Sequence, residues 1–76
     1  MYQAVKSVKT LKNYKLKLTF MNDEEKVFDM KKYLSHGVFQ ELKNEKLFRK
    51  VHVNFDSIEW ENGADLDPEI LYNESI

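Results

Sequence analysis

Three carboxylates at alternating positions, Asp65, Asp67 and Glu69, are the residues of this chain best spaced to do chemistry. Oxygen ligands in such a pattern can hold a hard cation such as Ca²⁺ or Mg²⁺. The neighbouring residues argue for another use. The loop has neither the length nor the ligand count of an EF-hand, and Pro68 stands between Asp67 and Glu69. Asp67 suits a helix N-cap, where its side-chain oxygen accepts a backbone N–H. Pro68 suits the first helical position, where the N–H it lacks is not needed. Glu69 then lies at the positive end of the helix dipole. In that register Leu66 precedes the cap and Leu71 is the fourth helical residue, the spacing of a hydrophobic staple. A satisfied cap is worth ~1 kcal/mol and requires no ligand. Capping therefore accounts for the cluster, and no metal or cofactor is expected.

The other reactive residue types are scattered. His36 sits beside Gly37 in a loop, and His52 falls on the polar face of a strand. Neither has a second ligand at metal spacing or a nucleophile nearby, so both read as solvated surface histidines. With two glycines there is no Gly-rich phosphate loop, and no Ser/His/Asp arrangement is visible. No residue pair suits acid–base work, so an enzyme is not expected.

Charge is more informative. Residues 1–20 hold five lysines (Lys6, Lys9, Lys12, Lys15, Lys17) and no acid. Residues 54–76 hold seven acids (Asp56, Glu59, Glu61, Asp65, Asp67, Glu69, Glu74) and no Lys or Arg. The simplest expectation is that the two ends neighbour each other and offset their charge. The alternatives are pairing with another copy or with a charged partner. Lys15 and Lys17 on one side, and Asp65 and Glu69 on the other, are the expected partner-binding residues. Nucleic acid is a poor fit, because the chain has one Arg and the aromatics of the second strand point away from Lys15 and Lys17.

The elements that must position these residues follow from periodicity. Tyr2 to Leu11 reads as a first strand in which the opposite parity of Val5 and Val8 calls for either a bulge near Lys6-Ser7 or partial cover on both faces. Lys12-Asn13 turns the chain. Tyr14, Leu16, Leu18 and Phe20 alternate with Lys15, Lys17 and Thr19, the clearest strand pattern present. Asn22-Asp23 turns again, and Lys26 to Met30 makes a third strand. These three form an antiparallel meander with a lysine-rich outer face.

After Asp29, which can cap a turn through Lys31 to Leu34, the period changes. Val38, Phe39 and Leu42 fit one face of a short helix, and Leu47 and Phe48 a further helical turn. Val51, Val53 and Phe55 alternate with His52 and Asn54, Asp56-Ser57 is the expected turn, and Ile58 and Trp60 continue as a partner strand. Asn62-Gly63 ends that strand before the helix at Pro68.

The motif Asn-Gly-x-Asp-Leu-Asp-Pro-Glu-x-Leu-Tyr at Asn62 to Tyr72, after a strand ending in Trp60, resembles domain-of-unknown-function family 2442. Further points of resemblance are Tyr-x-Leu-x-Leu-x-Phe at Tyr14 to Phe20, Phe-Asp-Met at Phe28 to Met30, Gly-Val-Phe-x-x-Leu at Gly37 to Leu42, and Leu-Phe-x-x-Val at Leu47 to Val51. One departure is Met21 to Glu25, where such proteins usually place a Gly in the turn. Such proteins are small, mostly bacterial, and of no established activity. Their genes often lie beside another small uncharacterised protein, in cassettes suspected of being toxin–antitoxin-like. The resemblance thus implies an antitoxin-like partner as the alternative to a general interaction module.

At 76 residues the chain is one domain that buries roughly 60% of its unfolded surface. Hydrophobic content of 42% is too high for disorder. There are no cysteines, hence neither disulfides nor thiolate metal sites. No apolar run approaches the ~20 residues of a membrane span, and the cytoplasm is the expected location. The expected fold is α+β, in the order β-β-β-α-β-β-α, with short helices on one face of a small antiparallel sheet. Its expected core is Leu16, Leu18, Phe20, Phe28, Phe39, Leu42, Phe48, Val51, Val53, Trp60 and Leu71. The expected function is a small non-enzymatic protein-interaction module.

Overall fold

The alternation of Lys15–Phe20 makes this segment (β2) the central strand of a three-stranded antiparallel sheet, between β1 (Val5–Leu11) and β3 (Glu25–Asp29). The computed structural model describes residues 3–76, so the Tyr2 start expected for β1 lies outside the described residues. The β1–β2 register shifts between Val5 and Ser7, so of the two readings of the valine parity the bulge is the one the strand adopts. Leu16, Leu18 and Phe20 are fully buried, whereas Lys9 lies opposite Lys17 and Leu11 opposite Lys15 on the outer face. The turn after β2 has a φ of +67° at Asp23. Asp tolerates this left-handed backbone, so the turn closes without a Gly. The Glu24 N–H bonds to the Asn22 side chain there at 3.0 Å.

Helical structure between the sheets is short. Asp29 Oδ1 accepts the Lys31 N–H at 2.9 Å ahead of a 3₁₀ turn at Lys31–Tyr33. A longer 3₁₀ segment, Gly37–Lys43, buries Leu42, half-buries Phe39 and leaves Val38 exposed. The 3₁₀ repeat of three residues per turn, unlike the expected α-helical 3.6, takes Val38 off the buried face. Asn44 then caps α1 (Glu45–Phe48), accepting the Lys46 N–H at 3.0 Å.

Where one sheet is expected, there are two. β4 (His52–Asn54), β5 (Ser57–Glu59) and β6 (Asp65–Leu66) form a second antiparallel sheet with β5 central. β6 is an addition to the expected strands. Its two residues are too few to show periodicity, and Leu66 reads from sequence only as the residue before a cap. The chain closes with α2 (Pro68–Glu74), and Asp67 is its N-cap as expected.

One core serves both sheets. It includes the expected Leu16, Leu18, Phe20, Phe28, Leu42, Phe48, Trp60 and Leu71, and adds Val5, Met30, Leu34, Ile58, Ala64 and Leu66. Phe39, Val51 and Val53 pack against it half-buried. The Trp60 ring stacks on Phe48 with centroids 6.1 Å apart, and its indole N–H donates to the Phe48 carbonyl at 2.9 Å. The sheets are pinned together where the Val5 N–H donates to the Asp56 carbonyl at 2.8 Å.

Candidate functional site

The β4–β5 hairpin differs from expectation in a way that creates a surface. Asn54 pairs with Ser57, so the two-residue turn is Phe55-Asp56 and not Asp56-Ser57. Phe55 therefore leaves the apolar strand face and becomes the tip of the hairpin. Its φ is +57°, and it is 94% exposed. Tight two-residue hairpins need positive φ, but Gly or Asn normally supplies it. A bulky side chain in that region is an outlier that calls for a reason.

Tyr14 shows what such a reason looks like inside this fold. It also has positive φ, +59°, in the β1–β2 turn, which includes the expected first residue of β2, so that strand starts one residue later, at Lys15. There the strained backbone sets the ring edge-on to Phe48 at 5.2 Å. It also directs the hydroxyl to the Lys43 carbonyl and its own carbonyl to the Met30 N–H at 3.0 Å. The Phe55 ring makes no aromatic contact among the described residues.

Phe55 stands at the edge of a groove of about 630 Å³, between the hairpin and the start of α2. Asp56, Asp65, Asp67 and Glu69 also line it, and none of its lining residues is basic. The Ser57 hydroxyl donates to the Leu66 carbonyl and ties the hairpin to β6. Asp67 Oδ1 accepts the Glu69 N–H at 2.8 Å, the capping bond read from sequence. Asp65 and Glu69 are exposed and make no ion pair among the described residues. No group of three or more His, Asp or Glu side chains among the described residues could hold a metal ion. The structure thus brings Asp65 and Glu69 together in one groove, and the aromatic beside them is the residue that periodicity misplaced.

Lys15 and Lys17 occupy a different surface, the outer face of the first sheet. Carboxylates of β3 cross that face, with Asp29 opposite Lys15 and Glu25 reaching Lys17 at 3.4 Å. Lys6 pairs with Asp23 at 3.0 Å. The chain ends neighbour each other, as expected, but part of the charge of the acidic end is offset elsewhere. The ends do touch at Val5 and Asp56, but Glu59, Glu61 and Glu74 pair with His52, Lys50 and Lys32 from the middle of the chain. The meander and the intervening helical turns carry those middle residues to the acidic segment, a topology that composition does not contain. His52 approaches Glu59 at 3.5 Å, and His36 is exposed beside Gly37.

The model of a family described as protein of unknown function (DUF2442) matches residues 5–76. The chain belongs to this family. No curated protein and no solved structure matches it.

A second groove in this DUF2442 chain, of about 520 Å³, lies between the β1–β2 turn and α1. Leu11, Tyr14 and Phe48 line it beside the charged Lys12, Glu45 and Arg49. Elsewhere, perturbed titration marks the attachment of α2. The Tyr72 hydroxyl, followed by Asn22, holds the Glu24 carboxyl below its usual value, and the Tyr72 phenol is raised by the same bond. Lys32 and then Tyr33 hold Glu74 low, and Glu74 raises Lys32 in return. Tyr33 is raised by burial first and by Glu74 second.

Proposed function

We propose that this DUF2442 protein is a small non-enzymatic interaction module that presents the Phe55 hairpin to a protein partner. The observation that carries this reading is an aromatic ring at positive φ, 94% exposed, at the edge of a groove lined by carboxylates. Aromatic anchors ringed by polar groups are the usual energetic centres of protein interfaces. Asp65 and Glu69 belong to this surface, and Lys15 and Lys17 to a second one, the outer face of the first sheet.

Two further observations support a binding role over catalysis or nucleic-acid recognition. The most perturbed titratable groups hold α2 in place at the surface instead of converging in a cavity. The lysine face is interrupted by Glu25 and Asp29, which weakens its attraction for phosphate. In the finer form of this reading the protein is bacterial and cytoplasmic, and its partner is a companion small protein encoded beside it, an antitoxin-like arrangement.

The test is affinity capture on immobilised wild type and on Phe55→Asn, with bound proteins identified by mass spectrometry and the adjacent gene product co-expressed. Asn accepts positive φ, so the hairpin is kept while the ring is removed. A discrete partner held by wild type and lost by Phe55→Asn is expected. Identical capture profiles would refute the assignment of Phe55 as the anchor.

A further inference from the structure

Building on that reading of the Phe55 hairpin, we infer that one partner is a second copy of this chain, which receives the hairpin head to tail in the groove between the β1–β2 turn and α1. The two surfaces are opposite in charge. The projecting one is a single aromatic ring beside Asp65, Asp67 and Glu69, in a groove without basic residues. The receiving one is a groove of about 520 Å³, within the range of about 300–1,000 Å³ that accepts a side chain or a small ligand. Exposed Leu11 and half-buried Tyr14 supply apolar and aromatic contact for a ring, and Lys12 and Arg49, against the single carboxylate Glu45, leave the groove positive. Arg49 is partly neutralised by Glu45 at 3.4 Å, but Lys12 makes no ion pair among the described residues. Lys15 lies opposite Leu11 in the sheet and so stands on the same face, where Asp29 on its other side offsets part of its charge.

A net charge of −1 adds little overall repulsion between copies. The donor and receiver are different surfaces, so the contact is heterologous and propagates into chains or closes into a ring. One anchored ring with charged flanks buries little area, which places the association in the weak class, with a Kd of about 10–100 μM.

This geometry has a test that two-fold or non-specific association fails. Phe55→Asn removes the projecting ring and leaves the groove. Leu11→Glu with Lys12→Glu spoils the groove and leaves the ring. Both substituted groove positions are exposed, and a carboxylate at position 11 faces Lys15, so the sheet is retained. Circular dichroism on each variant confirms the fold.

Sedimentation velocity over roughly 5–500 μM spans the expected Kd. Wild type should sediment faster as concentration rises, and ~0.5 M salt should suppress the rise, because exposed charges are then screened. Each variant alone should remain a monomer. A one-to-one mixture of the two should form a dimer and grow no further, since one intact ring meets one intact groove. Monomeric wild type at every concentration, association that survives either variant, or a mixture that stays monomeric would each overturn the proposal. Failure of the interaction-module reading is separately visible. A monomeric wild type that still captures a different protein through Phe55 refutes only the second copy as partner, whereas loss of both activities refutes both readings.

Discussion

At the scale of the residue, two aromatics with nearly equal positive φ have opposite prospects. A left-handed backbone costs an L-residue roughly 1–2 kcal/mol. At Tyr14 that cost is offset by the Phe48 ring and two hydrogen bonds, whereas at Phe55 no ring contact offsets it. Phe55→Asn should therefore stabilise the isolated protein by about 1 kcal/mol, a rise in melting temperature of roughly 4–8 °C for a domain this size. Tyr14→Asn should lower it. A fall for Phe55→Asn would show that the ring has a structural task in the monomer. Asp67 makes a second pair of outcomes. Its carboxylate accepts the Glu69 N–H, so Asp67→Ser, which keeps an acceptor, should be nearly neutral and Asp67→Ala should lose ~1 kcal/mol. Equal losses in both, with a melting temperature that rises on adding Ca²⁺ or Mg²⁺, would return the cluster to metal binding. The two positions also differ in legibility. The cap is written in consecutive residues, Asp67-Pro68-Glu69, and needs no tertiary information. The Phe55 turn is ambiguous because strand faces repeat every two residues. A turn at Asp56-Ser57 would set Val53 opposite Trp60. The observed turn sets Val53 opposite Ile58. Both registers put apolar residues together, and alternation cannot choose between them.

At the scale of the element, α2 is held on the first sheet by two matched sets of contacts. On one side the Tyr72 ring meets Phe20 edge-on at 4.9 Å, lies under Lys26 Nζ at 3.8 Å, and its hydroxyl donates to Glu24 at 2.6 Å. On the other, Glu74 accepts the Tyr33 hydroxyl at 2.8 Å and pairs with Lys32 at 2.5 Å. Just beyond the helix, Ile76 and Val27 exchange backbone hydrogen bonds at 2.8 and 2.9 Å, adding one rung to the edge of β3. The pH dependence follows in sign. Glu24 and Glu74 titrate below 4.5 in the folded protein, so the stability they add is present above 4.5 and is lost as pH falls through their lowered values. Tyr33 and Tyr72 titrate above 10.0, and Lys32 above 10.5. Their contribution is present below those values and is lost as pH rises through the raised ones. Melting temperature against pH should thus be flat at neutrality and fall on both sides. Glu24→Gln with Glu74→Gln should flatten the acid limb, and an acid limb unchanged in that variant would assign it to other carboxylates. Neither set of contacts was legible, because each joins residues more than forty positions apart with no periodic relation.

At the scale of the whole molecule, the question is whether two three-stranded sheets make one cooperative unit. Their shared core says that they do. Val5, Leu16, Leu18, Phe20 and Phe28 come from the first sheet, Ile58 and Leu66 from the second, Leu71 from α2, and all belong to one buried cluster. The Cα radius of gyration, 11.3 Å, matches the roughly 11 Å of a single compact chain of this length. Trp60 is the point where the second sheet grips the rest. It is 1% exposed, stacks on Phe48, and donates its indole N–H to the Phe48 carbonyl. Its burial was legible because it lies in phase with Ile58, one residue past β5, with Glu59 between them. The division into two sheets was not, since strand pairing over long sequence separation leaves no local mark. Trp60→Ala removes the ring and should cost roughly 3–5 kcal/mol. A domain of this size is stable by only about 4–11 kcal/mol, so most or all of its stability would go. Trp60→Phe keeps a ring but leaves the buried Phe48 carbonyl without its donor, a loss of about 1–3 kcal/mol from which the fold should survive. In wild type the single Trp reports on the second sheet while far-ultraviolet circular dichroism reports on the whole backbone. If one core holds both sheets, the two signals must share one midpoint in urea, because a two-state transition looks the same to every probe. A fluorescence midpoint clearly below that of circular dichroism would mean that the second sheet opens first, and would show that the Val5–Asp56 junction and the shared core do not couple the two halves.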